Sequence, residues 1–539
     1  MRFRTGFGLA LSAAVLLHCG SDTAAPPAAN KKVGADGGKT VDLPPPPPEP
    51  ENCDGTQLPT ATPCTIHEAY GVFVSAKGSD EGDGTRAHPL QHISTAIVGA
   101  AASGRRVYAC AETYDEVLTL GDGISVFGYF DCQGDWKVGG ARAVVAPKTG
   151  DVAALAKGIA KPTRIEALEI RGRDATEPSQ SSIGLKAEDA GGLSFVNARI
   201  AAGKGMKGKD GAAPIQLVQT GNVDGRASVA TADCTLAPDL FVCDAQHRLP
   251  PAGGASRCVG AAGMDGGPGG SGGHSGRYSY RTRQAGDPFG VCLTPDKSPP
   301  RQCYLLDVGD TVTNGGNQPA TAQTAAGAIV ASTSAVAGLP GSDGVDGATG
   351  VWKLTSDGFV PGDGTDGSSG TPGQGGGGGA GEAMEYPGAP ISFWGGNGAG
   401  GGAGGCPGLA GKSGTGGGAS IAVLATRSAM RFDAKSEVVA GAGGTGGAGH
   451  AASAYTLGGA PGVAPSQMPA YTRGAPGGRG GEGGVSGHGA SGPSIGIAWK
   501  DAKPTFEKAP TVAVPAPGQP ADGRLPAAPD GIAVPVYAL

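Results

Sequence analysis

Short apolar runs separated by turn residues dominate the chain from about residue 70 to 200. Segments 107–109, 117–120, 125–129, 144–146, 165–170 and 193–200 are β-branched or aliphatic and are bounded by Gly, Asp or Pro, which predicts strands. They recur at roughly 20 to 27 residues, a period that suits a solenoid in which each turn contacts only its neighbours. HISTAIVGAAASG, just ahead of them, is the one good helix candidate, with Gly104 placed to end it. It would cap the open end of the first turn.

A degenerate repeat continues the pattern. SIGLKAEDAGGLSFVNARIAAGKG begins at Ser182, SIAVLATRSAMRFDAKSEVVAGAGG at Ser420 and SIGIAWKDAKPTFEKAPTVAV at Ser494. In each, an aliphatic residue follows 18 positions on, at Ile200, Val438 and Val512, and Phe195, Phe432 and Phe506 fall at nearly one offset. AGAIVASTSAVAG, near residue 330, reads as a weaker fourth copy.

Between the copies the pattern changes to triplets. GMKGKDG from Gly205, GAAGMDGGPGGSG from Gly260, GLPGSDGVDGATG from Gly338, GTDGSSGTPG from Gly364 and GAPGGRGGEG from Gly474 carry recurrent triplet glycine. Composition agrees: of 539 residues 103 are Gly and 43 Pro, with 5% aromatic and 16% charged, so ordinary globular packing does not account for the whole chain. Collagen needs one long G-X-Y domain rich in Pro, whereas these tracts are short and broken by strand units. A polyproline-II-like helix also repeats every three residues and makes no internal hydrogen bonds, so glycine on its packed face would let several tracts bond side by side. The competing reading is a floppy low-complexity insert, because fixing glycine backbone is entropically costly.

The first residues read as a targeting segment. Arg2 and Arg4 precede FGLALSAAVLL, too short to span a bilayer. The run ends in LLHCGS, which resembles a bacterial lipobox and makes Cys19 the candidate acylated residue; Leu17 and His18 stand where that pattern prefers small residues, and an ordinary secretory signal is the other reading. Gly20, rather than Asp, after the Cys favours the outer membrane within that resemblance. Residues 20–52 end in LPPPPPEPE, an extended tether. A net charge of −6 without Lys/Arg clusters argues against nucleic acid as a partner.

Eleven cysteines, less Cys19, leave an even number, of which eight are close in sequence: Cys53 with Cys64, Cys110 with Cys132, Cys234 with Cys243, and Cys292 with Cys303. Cys258 and Cys406 remain, and a long-range bridge between them is one option. Zinc is the rival reading, but no spacing is C-x-x-C and no His is well placed.

The stretch VFVSAKGSDEGDGTRAHPLQHISTAI, residues 72–97, resembles the opening of pectate-lyase-like right-handed β-helix proteins. Phe73, Val74, Ser75, Gly78, Asp80, Gly84, Thr85, Pro89, Ile93, Ala96 and Ile97 carry the likeness. The chain as a whole resembles glycine-rich, PGRS-type secreted proteins, a resemblance that implies no known activity.

Catalytic candidates are few. GLAGKSG around Lys412 lacks the first glycine of a phosphate loop, since Cys406 stands there. PGDGTDG has a trace of a Gly-Asp calcium repeat, with Asp363 and Asp366 as oxygen ligands, but one copy reads as a solvated turn. A polysaccharide lyase would combine acidic calcium ligands with a Lys or Arg base. EALEIRGRD, with Glu169, Arg171 and Asp174, is the nearest constellation, and outward charges at period two are the default of any half-buried strand. His67, His88 and His92 lie near the cap without a positioned nucleophile.

The expected fold is all-β, a right-handed parallel β-helix (solenoid) with long glycine-rich, polyproline-II-like insertions. The expected divisions are a lipoprotein-type signal over 1–18, a tether over 19–52, capped N-terminal turns over 53–211, Cys- and Gly-rich insertions over 212–419, C-terminal turns with a further insert over 420–515, and a tail over 516–539. The expected function is a non-enzymatic, surface-displayed structural or adhesive lipoprotein, exported to the outer membrane or cell surface by a lipid anchor, or else secreted. Its expected partners are glycans or other surface polymers, and no cofactor is expected, calcium being the one weak candidate. The alternative is a polysaccharide-lyase-like carbohydrate-active enzyme; a third reading, an ice- or surface-binding protein, rests on the flat faces such bundles present.

Overall fold

The structure, a computed structural model, describes residues 43–133, 135–139, 141–228, 251–273, 335–381, 397–466, 468, 470–521 and 524–539, and the backbone of five short strands between 235 and 307. Its regular part is three parallel sheets. The first takes strands Gly71–Val74, Arg106–Cys110, Val126–Asp131, Thr163–Glu166, Leu193–Val196, Arg431–Phe432 and Thr505–Phe506 in that spatial order, with Lys137–Val138 antiparallel to the third of these. The second runs from Thr113–Tyr114 through Ala143–Val145, Leu168–Arg171, Arg199–Ala201 and Glu437–Ala440 to Thr511–Val512. The third runs from Leu118–Leu120 through Val152–Lys157, Ser182–Glu188, Ser420–Thr426 and Ser494–Lys500 to Ala533–Ala538.

The expectation of one all-β right-handed solenoid is therefore corrected. The strands belong to three large, separate parallel sheets, an α/β-type pairing pattern, and neither a single solenoid nor a closed barrel accounts for the chain. One reason is local. The runs 165–170 and 193–200 are not single strands: Ala167 at φ +54° and Asn197 at φ +48° turn the backbone left-handed, and the residues on either side join different sheets. Hydrophobic periodicity does not register such a corner.

Inward-facing aliphatics fill the space the sheets share, among them Val72, Val107, Val126, Ile165, Leu168 and Leu185, all fully buried. The predicted helix is Ile93–Ala101, packed on the first strands, and Gly104 follows it at φ +66°. Glu116 accepts the N–H groups of Ile93 (2.7 Å) and Ser94 (3.0 Å), satisfying two open donors at the helix start.

The repeat aligns in space. Ser182, Ser420 and Ser494 are neighbours across the third sheet, as are Ile183, Ile421 and Ile495, and the rings of Phe195 and Phe432 stack with centroids 4.8 Å apart. Ile200 faces Val438, but Val512 faces Ala440, so the last copy slips by two residues in the second sheet. The AGAIVASTSAVAG copy lies mostly outside the described residues.

The glycine tracts form ordered backbone that lies almost wholly outside the strands, the short antiparallel pair Val218–Thr220 and Arg257–Val259 being an exception. Tract 338–350 runs parallel to 476–488: Gly338, Gly341, Gly344, Gly347 and Gly350 donate in turn to the carbonyls of Pro476, Arg479, Glu482, Val485 and His488, at 2.7–2.9 Å. Tract 365–377 runs antiparallel to it, and Thr365, Ser368, Thr371 and Gln374 donate to Ala348, Val345, Ser342 and Leu339, each at 2.9 Å. The same three-residue stepping joins 402–417 to 475–490 and 444–462 to 400–418. A three-residue repeat bonded sideways, with none of the glycines of tracts 338–350 and 364–379 at positive φ, fits polyproline-II-like segments side by side.

A second set of bonds engages the residues between the glycines. The amides of Ser342, Val345 and Ala348 donate to the hydroxyls of Thr371, Ser368 and Thr365, each at 2.7 Å, while Asp343 and Asp346 accept the amides of Glu482 (2.7 Å) and Val485 (2.8 Å). Short side-chain oxygens thus satisfy amides that the glycine ladder leaves over. A hairpin of Lys353–Thr355 and Gly358–Val360 ends this pair of tracts and places Leu354 and Phe359 against Ile421 and Leu424 of the third sheet.

Candidate binding surfaces

The residues singled out in the sequence are engaged in structural contacts. Glu169 meets Arg199 (2.6 Å) and Arg171 (2.8 Å); burial would raise its carboxyl, but the two guanidiniums hold it below the ordinary value. Asp174 accepts the Lys204 amide at 2.7 Å, away from that pair. The three histidines also stay apart. Nδ1 of His67 accepts the Ala69 amide, His88 lies 3.6 Å from Asp83, and His92 lies 2.5 Å from Asp80, whose other oxygen accepts the amides of Gln91 and His92. Asp80 thus ties down the loop before the helix.

The calcium-repeat and phosphate-loop candidates turn out to be rungs of the bundle. Asp363 accepts the Gly416 amide, and Asp366 accepts the Ser413 amide and pairs with Lys412, each within 2.8 Å. The Lys412 ammonium beside it, with the Ser413 amide, pulls the Asp366 carboxyl down to about 2. Among the described residues no group of three or more His, Cys, Asp or Glu is arranged to hold a metal ion.

Cys53–Cys64, Cys110–Cys132 and Cys258–Cys406 are disulfides. The last joins residues 148 positions apart inside the bundle, where both are buried. Cys292 and Cys303 face each other across an antiparallel backbone pair, while Cys19, Cys234 and Cys243 lie outside the described residues. No helix among the described residues is long and apolar enough to cross a membrane.

Among the described residues, two surfaces of the bundle are open to a partner. The first is a strip where tracts 338–351 and 365–374 lie side by side. Leu339, Val345 and Val351 are exposed along one tract, Val345 to 74%, with Ser342 and Ala348 between them. Thr365, Ser368 and Thr371 line the adjacent tract and are also exposed. These eight residues are uncharged, and the triplet step repeats them at about 9.3 Å. Each hydroxyl accepts a backbone amide; that of Thr371 also donates to the Ser342 carbonyl at 3.5 Å, which leaves the hydroxyl protons of Thr365 and Ser368 for an external acceptor.

The second is a groove of about 600 Å³ floored by Glu482, Gly483 and Val485, with Tyr455 and Leu457 on one wall and Arg524 on the other. The Arg479 guanidinium sits 4.7 Å from the centre of the Tyr455 ring and 3.6 Å from Asp343. Arg524 donates to the Gly483 carbonyl at 3.1 Å and lies 3.6 Å from Asp346. None of these groove residues stands out in the sequence; the one signal is a tyrosine within the Ala- and Gly-rich AASAYTLGG. Comparison with known proteins finds no matching family, no matching curated protein and no matching solved structure.

Proposed function

We propose that the protein is a non-enzymatic structural or adhesive protein displayed at the cell surface, binding glycans or other repeating surface polymers. The strip carries this reading: a regular row of hydroxyls and aliphatic groups, held on hydrogen-bonded backbone, suits a partner that is itself periodic and uncharged. Hydroxyl protons would meet sugar oxygens, and the aliphatic groups would cover C–H faces. The disulfides suit an oxidising compartment, and the LLHCGS junction with its Pro-rich tether supplies the anchor through Cys19. The likeness of residues 72–97 to pectate-lyase-like proteins enters this reading as a resemblance of scaffold, and the glycine-rich, PGRS-type likeness as one of style.

A glycan array probed with the mature protein tests the reading. Binding should weaken at least tenfold in Val345→Asp, and absorbance at the wavelength of unsaturated sugars should not rise with or without calcium. Absence of glycan binding, or binding indifferent to Val345→Asp, removes the reading; accumulation of unsaturated product establishes the lyase alternative.

A further inference from the structure

The groove is a position in the bundle that the chain itself fills only part-way. Tract 478–490, its floor, is bonded on four flanks: Gly341 donates to Arg479, Gly481 donates to Thr371, Gly408 donates to Gly481, and Gly480 donates to Thr456. The remaining side opens between the 338–350 and 447–459 tracts. Beside residues 489–493 that side is covered by the chain's own proline-rich tail: the Ser491 amide donates to Pro529 (3.2 Å), its hydroxyl to Pro517 (2.9 Å), and the Gln519 side chain to the nearby Gly446 carbonyl (2.9 Å). The tail's Arg524 reaches Gly483, and beside Glu482, Gly483 and Val485 the groove stands open. The covered stretch is thus filled by proline-rich backbone of the chain itself.

The geometry points to the open stretch as a docking site for an extended proline-rich peptide in the polyproline II conformation. Tyr455 gives the flat aromatic wall such segments pack against, and Leu457, 71% exposed, gives an apolar contact beside it. A polyproline II peptide arrives already ordered, so little conformational entropy is lost on docking. Its carbonyls make no internal hydrogen bonds and can accept, as the tail's carbonyls of Pro517 and Pro529 accept from Ser491.

The probe is a fluorescent peptide of sequence LPPPPPEPE, titrated against the full mature protein and followed by anisotropy. Saturable binding is expected, weakened at least tenfold by Leu457→Asp and by Tyr455→Ala, and weakened similarly when the six prolines are replaced by glycine. Leu457 is largely exposed, so its variant keeps the fold, which an unchanged melting temperature verifies. No saturable binding overturns the proposal, as does affinity indifferent to Leu457→Asp, equal affinity for the glycine peptide, or displacement of the peptide by a glycan that binds the groove instead.

Discussion

The amide of Gly344 donates to the carbonyl of Glu482 at 2.7 Å, in the middle of a five-rung ladder between tracts 138 residues apart. A Cβ on Gly344 would overlap the carbonyl oxygen of Ser368 on the next tract, so the bond and the missing side chain depend on each other.

Gly344→Val is therefore expected to lower stability by about 3 kcal/mol or more, as overpacking against fixed backbone does. Thermal melting and limited proteolysis between 338 and 377 check it. In the unaltered protein the amides of Gly341, Gly344 and Gly347 should be protected in hydrogen exchange; complete exchange within seconds would dismiss the bundle.

Residues between the glycines are expected to divide by what their side chains accept. Asp346→Ala leaves the Val485 amide without its 2.8 Å acceptor and should cost roughly 1–3 kcal/mol. Val345→Ala, at a position 74% exposed, should change stability by less than about 0.5 kcal/mol. Equal melting temperatures for the two variants would remove the structural role assigned to the carboxylate.

The Cys258–Cys406 bridge closes a 148-residue separation within the bundle. Replacing both cysteines by alanine should lower stability by about 2–5 kcal/mol, the range seen when long loops lose their cross-link. Denaturant titration of the double variant measures it, with thiol titration of the denatured, unreduced parent verifying that neither sulfur carries a proton.

Acid should loosen the bundle through Asp366. Its folded carboxyl sits at about 2 against an ordinary 3.8, so the unfolded chain binds more protons between those values. The contribution is present in full above the unfolded value and is lost as pH falls from 3.8 toward 2. The melting-temperature gap between the parent and Asp366→Asn should narrow over that window. A gap that stays constant down to pH 2 would show that the Lys412 pair contributes nothing.

Much of the scaffold is legible in the sequence because its determinants are local. Short apolar runs and their turn residues mark strands such as Val126–Asp131, the helix Ile93–Ala101 ends before a glycine that can turn left-handed, and Ser182, Ser420 and Ser494 announce strands that pair side by side. Triplet glycine likewise dictates a three-residue repeat, because nothing larger than hydrogen fits where Gly344 meets Ser368. What the sequence leaves open depends on partners distant in the chain. Ala167 and Asn197 turn corners within apolar runs, so the number of sheets follows from backbone conformations that hydrophobic pattern does not encode. Asp363 and Asp366 look like cation ligands until the amides of Gly416 and Ser413 arrive from another tract. The groove beside Tyr455 exists because three tracts and a tail converge there with one side left uncovered, a vacancy set by packing that no local run of residues records.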